Sequence, residues 1–182
     1  MHITGGYLKS RKIESPKGAN VRPTLSQVRE SIFSVLYSIT DFEKKSFLDA
    51  FAGSGIIGFE ALSRGFEQVC FIEKDKKTFL LLKDNAKKLG IEPQFFMGDT
   101  LKVLKKTDSD FDVIYVDPPY QSGLYDSVLE IVRQCDVLKK DGIIILEHPS
   151  RLEINIDGFE LIKKKIYSDK CITFLRLSNQ HV

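Results

Sequence analysis

The stretch Asp49-Ala50-Phe51-Ala52-Gly53-Ser54-Gly55-Ile56-Ile57-Gly58 joins a short apolar run beginning at Phe47 to a second, helix-like one. Glycines at 53, 55 and 58 let the backbone turn tightly and let a ligand lie against it. The helix that follows offers unpaired N–H groups at its start. The spacing Gly53-x-Gly55-x-x-Gly58 formally matches the dinucleotide fingerprint, so by itself it does not choose between NAD and S-adenosylmethionine. A plain turn is the bland alternative.

Outward from this loop the pattern alternates. Short apolar runs at Phe47 to Phe51, Gln68 to Glu73, Gln94 to Met97, Phe111 to Val116 and Gly142 to Leu146 predict strands. Stretches 56–64, 76–89 and 124–138 predict helices, two of them stopping at Gly65 and Gly90. Strand and helix in strict alternation imply a doubly wound parallel α/β sheet. Phe159 to Tyr167 and Cys171 to Leu177 follow without an intervening helix, which predicts an antiparallel hairpin at or near a sheet edge. Upstream, Thr24 and Gln27 have the form of a capping box, and Leu25, Val28, Ile32, Val35, Leu36 and Ile39 recur at helical spacing. The expected organisation is one domain over 1–182: a basic arm, 1–23, and a Rossmann-like core, 24–182.

With 182 residues, 42% of them hydrophobic and 29% charged, the chain can bury one substantial core. A net charge of +2 is too small to argue for a nucleic-acid partner, but the distribution is uneven. Lys9, Arg11, Lys12, Lys17, Arg22 and Arg29 face only Glu14 and Glu30 within the first thirty residues, a local +4 that leaves −2 for the remainder. Cys70, Cys135 and Cys171 are odd in number and lie in apolar runs, so neither a disulfide framework nor a metal site is expected. No apolar run approaches the ~20 residues that cross a bilayer, and the polar, basic start lacks a signal-peptide core. Cytoplasmic residence and a monomer are the default expectations.

The neighbours of the glycine loop favour S-adenosylmethionine. Glu73, closing the second strand, can accept hydrogen bonds from both hydroxyls of a ribose, as in either adenosine cofactor. Asp49 points the other way: it could face the ammonium of a methionine moiety, whereas a diphosphate there would be repelled. Asp99, after the third strand, is placed to meet an adenine amino group, and Phe51, Lys74 and Thr100 complete the candidate cofactor set with Gly53 and Gly55. Glu73 as a solvated strand-end charge and Asp99 as a helix cap before Thr100 are the structural alternatives.

The fourth strand opens directly into Asp117-Pro118-Pro119-Tyr120, at the carboxyl end where open α/β sheets bind ligands. An exocyclic amine on a nucleic-acid base is a poor nucleophile because its lone pair is delocalised into the ring. If the Asp117 carboxylate and the Pro118 carbonyl each accept one of its N–H bonds, the nitrogen is drawn toward tetrahedral geometry and can attack a methyl group. Two prolines fix φ and remove both N–H donors, leaving a stiff, acceptor-rich turn, and Tyr120 offers a face for the base to stack on. A base within a duplex would have to be extruded to reach it. A rigid turn with no chemistry is the alternative. His148-Pro149, after the fifth strand, has no base or metal partner near it in sequence and is expected only to line the site.

These residues resemble the bacterial small-subunit (16S) rRNA guanine-N2 methyltransferases of the RsmD type. The resemblance runs through Ile3-Thr4-Gly5-Gly6, Arg11-Lys12, Arg22-Pro23-Thr24, Val28-Arg29-Glu30, the loop Asp49 to Gly55, Glu60-Ala61-Leu62-Ser63-Arg64-Gly65 and Asp117 to Tyr120. The glycine loop and Asp-Pro-Pro-Tyr are shared with many amino-methyltransferases, so the arm and the Arg-Pro-Thr and Val-Arg-Glu elements are the more family-specific. The resemblance implies a class I methyltransferase fold, mostly parallel with seven strands in the order 3-2-1-4-5-7-6. It also implies methyl transfer to N2 of a guanine in 16S rRNA, within an assembling small ribosomal subunit. A basic arm suits that substrate, because Lys and Arg supply sequence-independent affinity for phosphates. Arg11, Lys12, Arg22 and Arg29 are the candidate RNA contacts; Arg22 and Arg29 could equally bridge core carboxylates.

Three other functions share part of this pattern. A DNA adenine-N6 methyltransferase would use the same chemistry but usually adds a target-recognition region, for which this chain has no residues to spare. An NAD-dependent reductase explains the glycines and Glu73 and leaves Asp49 and Asp117 to Tyr120 without a role. A catalytically silent RNA-binding assembly factor needs the arm and not an intact acceptor turn.

Overall fold

The computed structural model describes residues 1–16, 26–119 and 123–178, in two compact units, Met1–Thr100 and Leu101–Val182. The first holds α1 (Ser26–Ile39), β1 (Ser46–Asp49), α2 (Ile56–Ser63), β2 (Gln68–Glu73), α3 (Lys76–Leu89) and β3 (Gln94–Met97); α4 (Thr100–Leu104) begins at its last residue. The second holds β4 (Phe111–Val116), α5 (Leu124–Gln134), β5 (Leu138–Pro149), β6 (Phe159–Tyr167) and β7 (Lys170–Leu177). The seven strands run in the order β3-β2-β1-β4-β5-β7-β6, the order that the family resemblance implies. Among the described residues no helix is long and apolar enough to cross a membrane.

In the first unit β1, β2 and β3 pair in parallel. All four residues of β1 are buried, as expected of a strand covered on both faces. Phe33 of α1, Phe47 of β1, Phe42 and Phe66 form one aromatic cluster, with Phe42 and Phe66 stacked at 4.4 Å. Each such ring pair is worth about 0.5–1.5 kcal/mol beyond its buried area. The cluster explains why α1 packs where β1 begins.

α2 packs closely because Gly58 within it and its N-cap Gly55 leave no room for a side chain, the first against β2 and the second against α3. A Cβ on Gly58 would stand 2.2 Å from Cε1 of Phe71, and one on Gly55 would stand 2.3 Å from Leu82. Buried in α2 is Glu60, which accepts from the Thr4 amide (2.7 Å) and hydroxyl (2.8 Å) and pairs with Arg29 (3.3 Å) and Arg64 (3.1 Å). Removing one partner from such a buried ion cluster costs about 3–5 kcal/mol.

Glu60 also shows that the N-terminal arm is not a loose basic tail. Its backbone doubles back through the His2–Lys12 antiparallel bridge, and Ile3, Leu8 and Ile13 are buried in the core. The Ser63 hydroxyl donates to the Gly5 carbonyl (2.6 Å) and accepts from the Leu8 amide (2.8 Å). On α3, Asn85 accepts from the Glu14 amide (3.1 Å) and donates to the Glu14 carbonyl (2.9 Å).

In the second unit β5 pairs in parallel with β4 and antiparallel with β7, and β6 pairs antiparallel with β7 at the sheet edge. The predicted bounds of β2, β3, β4 and β6 coincide with those observed. Three differences have local causes. α5 stops at Gln134 rather than continuing to 138, because Cys135 is extended and Val137 accepts from the Phe111 amide in the sheet. β5 accordingly starts at Leu138, four residues before the predicted Gly142; register jumps from Phe111–Leu138 to Val113–Ile143 across a bulge containing Asp141 at φ 65°. The short helix α4 carries no periodic signal of its own. The predicted Thr24 cap lies outside the described residues.

Gly58→Ala should destabilise the protein. Alanine favours a helix interior over glycine by about 1 kcal/mol, but fully buried Phe71 cannot swing away from a new methyl, and overpacking costs about 1–3 kcal/mol. The urea midpoint should fall with no change in slope. A midpoint at or above wild type would show that α2 is not held by this close approach.

Candidate active site

β1 ends at Asp49, and the chain turns at once through the glycine loop into α2. Gly53 (φ 54°) and Gly55 (φ 83°) both adopt left-handed backbone, where a side chain is strained. Their surroundings differ: a Cβ on Gly55 would strike Leu82 and Phe59, whereas nothing lies within 4 Å of one on Gly53. Gly55 therefore serves protein packing, and Gly53 leaves bare backbone beside open space that a ligand can approach.

Asp49 is 2% exposed, and its carboxylate accepts from the Gly58 amide at 3.1 Å, in the first turn of α2. Burial pushes this carboxyl up to about 7; the Glu73 charge adds to the rise, and the amides of Gly58 and Phe51 oppose it.

Glu73, half-buried at the end of β2, accepts from the Gly53 amide (3.0 Å) and the Asp75 amide (2.8 Å). One of these contacts holds the open glycine in place. A carboxylate has about four acceptor positions, so two remain for hydroxyls of a ligand. The Thr100 hydroxyl is buried and donates to the Ala50 carbonyl at 2.7 Å, tying the start of α4 to the loop. Asn85 donates to the Ser54 carbonyl at 3.0 Å from the other side. Phe51 is half-buried, while Lys74 and Asp99 are exposed beside Glu73 and Thr100. The structure thus brings Asp49, Gly53, Gly55, Glu73 and Thr100 into one hydrogen-bonded loop system within the first unit.

In the second unit β4 delivers Asp117 half-buried, Pro118 buried and Pro119 exposed. Tyr120 lies outside the described residues. Close to this turn is a buried polar group that sequence reasoning missed: the Tyr115 hydroxyl donates to Glu147 (2.5 Å), Lys170 pairs with the same carboxylate, and the Tyr125 hydroxyl donates to the Glu147 carbonyl (2.7 Å). His148 is structural: Nδ1 meets the Pro149 carbonyl at 2.9 Å and so must donate to it, leaving Nε2 to accept from the Thr173 hydroxyl at 2.9 Å. Burial holds its pKa below the ordinary histidine value.

The arm residues separate by exposure. Arg11 and Lys12 are exposed, the former donating to the Lys88 carbonyl at 2.6 Å. Arg29, 3% exposed, pairs with Glu60 and donates to the His2 carbonyl (2.9 Å), the carboxylate-bridging role that its sequence also allowed. Arg22 lies outside the described residues. Glu60, Asn85 and Glu147 share one signal that could have exposed them, a polar residue set among apolar ones at core spacing: Ile57, Phe59 and Ala61; Leu82, Ala86 and Leu89; Ile143 to Leu146.

A family model described as conserved hypothetical protein 95 matches residues 1–176. Ribosomal RNA small subunit methyltransferase D of Buchnera aphidicola subsp. Acyrthosiphon pisum is 38% identical over 169 residues, 91% of this chain and 87% of that protein. The protein of the same name from Haemophilus influenzae is 30% identical over 171 residues, 91% and 88% of the two chains. A solved structure of a hypothetical protein from Thermus thermophilus superposes with a TM-score of 0.83 at 25% identity, over 96% of this chain and 98% of that one. With the sheet order, the open glycine loop and the Asp-Pro-Pro turn in place, the chain belongs to the conserved hypothetical protein 95 family, that of ribosomal RNA small subunit methyltransferase D.

Proposed function

We propose that this protein is an S-adenosylmethionine-dependent methyltransferase that modifies the exocyclic N2 of a guanine in 16S rRNA, acting as a cytoplasmic monomer within an assembling small ribosomal subunit. On this reading the two units work as a single domain over 1–182. The observation that carries it is Asp49, a buried carboxyl held near 7 beside bare backbone at Gly53. An ammonium fits that position and a diphosphate does not, which weighs against an NAD-dependent reductase. The names of the relatives support the rRNA substrate over DNA adenine. An intact Asp117-Pro118-Pro119 turn supports an enzyme over a silent assembly factor.

The residues present fit the cofactor. Asp49 would hold the ammonium of its methionine moiety, Glu73 the ribose hydroxyls and Asp99 the adenine amino group, with Phe51, Lys74 and Thr100 around them and Gly53 and Gly55 yielding close approach. When bound, S-adenosylmethionine supplies an electrophilic methyl group on a sulfonium. The protein's own part is position and electrostatics. The Asp117 carboxylate and the Pro118 carbonyl accept the two N–H bonds of the guanine amine and turn its lone pair toward that methyl. With that methyl donor bound, Asp117 would stabilise the positive charge that develops on the nitrogen as it takes the methyl, until a proton leaves it. The two prolines keep the turn stiff and Tyr120 stacks on the base. Exposed Arg11 and Lys12, with Arg22, contact phosphates and render binding salt-sensitive.

Incubation with methyl-labelled S-adenosylmethionine and, in parallel, undermodified small subunits, naked 16S rRNA and duplex DNA tests this function. Label should enter the RNA and be recovered as N2-methylguanosine. Label on DNA alone, or on no substrate, would overturn the assignment.

Asp49 gives a pH signature. A bound ammonium favours the ionised carboxylate, so its pKa is lower in the complex than the free value of about 7. Binding therefore takes up no proton above that value and must expel one below it. S-adenosylhomocysteine affinity, measured by calorimetry, should weaken as pH falls through 7, approaching about tenfold per pH unit. Asp49→Asn should bind more weakly with a flat profile over that range. An unchanged slope in the variant would remove Asp49 from the cofactor site.

A further inference from the structure

The acceptor turn leaves β4 after Val116 and re-enters regular structure at Leu124 of α5. One residue grips both of its ends. Tyr115, the second-last residue of β4, donates its hydroxyl to the Glu147 carboxylate at 2.5 Å. Tyr125, the second residue of α5, donates its hydroxyl to the Glu147 main-chain carbonyl at 2.7 Å. The other carboxylate oxygen pairs with Lys170 of β7. All four residues are buried: Glu147 is 0% exposed, Tyr115 2%, Tyr125 3% and Lys170 6%.

We propose that Glu147 is a positioning residue for methyl transfer, setting the placement of Asp117 and Pro118 through the hydroxyl of Tyr115, while the Tyr125 hydroxyl holds the Glu147 main chain in place. This rests on the methyltransferase function above. The register supports it: β4 and β5 stay paired to Val116–Leu146, and the next residues along the two strands are Asp117 and Glu147. Tyr115 and Asp117 are two apart along an extended run, so they belong to the same face. Only Val116, the last residue of β4, separates Tyr115 from Asp117, and Pro118 beyond it is locked in φ. A shift at Tyr115 is therefore passed to the carboxylate that must hold the amine. Lys170 keeps the Glu147 carboxylate oriented toward Tyr115, so a charge that would be costly alone is stabilised where it is needed. Every member of the group is a buried polar side chain with a partner, and none of them is required to contact cofactor or RNA.

The test is the double variant Tyr115→Phe with Tyr125→Phe, which removes two hydroxyls and preserves both rings. Methyl transfer to undermodified small subunits, S-adenosylhomocysteine affinity and thermal midpoint are measured on wild type and variant, with assays run well below either midpoint. The inference expects kcat to fall tenfold or more, on the order of what sub-ångström to ångström misplacement costs, while cofactor affinity stays within about twofold. A role in stability alone would lower the midpoint and leave kcat unchanged, and that result overturns the proposal. If the double variant does not fold, each single substitution carries the same comparison, with a smaller loss of kcat expected. Wild-type enzyme that transfers no methyl would overturn the proposed function and this inference with it; an active wild type matched by its variants overturns this inference only.

Discussion

The first unit depends on how closely α2 can approach the strands beneath it. Glycine at position 58 removes the side chain that would collide with Phe71, and three consequences follow. The first turn of α2 comes near enough for its Gly58 amide to reach Asp49. That contact ties the end of β1 to the first turn of α2 across the loop that carries Gly53. Two residues further along the helix, Glu60 is carried into the interior, where it can survive only among Thr4, Arg29 and Arg64. A single steric allowance thus lets α2 hold the end of β1 on one side and anchor the N-terminal arm on the other.

Electrostatics then divide the labour. Carboxylates occupy the ends of β1 and β2, and the cost of burying Asp49 appears as a pKa raised to about 7. A cationic ligand group would recover that cost, so the site is discriminating by charge before any shape is considered. The exposed positive charge of the arm, at Arg11 and Lys12, stands apart from it. In the second unit the Glu147–Lys170 pair is buried, and its carboxylate accepts from the Tyr115 hydroxyl. Carboxylates at the strand ends, exposed cations on the arm and the internal ion pair are thus carried by different residues.

Much of this was legible in the sequence because it is encoded locally. The bounds of β2, β3 and β4 follow from apolar runs, and the loop glycines from their spacing. Asp49, Glu73 and Asp117 could be singled out because the first two end strands and the third directly follows one. What could not be read are contacts between residues far apart in the chain: Thr4 with Glu60 is 56 residues apart, Asn85 with Glu14 is 71, and Tyr115 with Glu147 is 32. Arg29 illustrates the limit. Its charge is the same whether it faces phosphate or a buried carboxylate, and only the location of Glu60 decides between them. The bulge at Asp141 was hidden for a related reason: Leu138 fits a helical pattern as well as a strand, and pairing with Phe111 selects the strand.

The central claim is that cofactor binding belongs to the loop system around Asp49 and Glu73, whereas transfer belongs to Asp117. Asp117→Ala separates the two most directly. Calorimetry with S-adenosylhomocysteine and labelled methyl transfer to small subunits would be run on the same preparation. The account predicts wild-type affinity for S-adenosylhomocysteine together with loss of methyl transfer; transfer retained near the wild-type rate would contradict it.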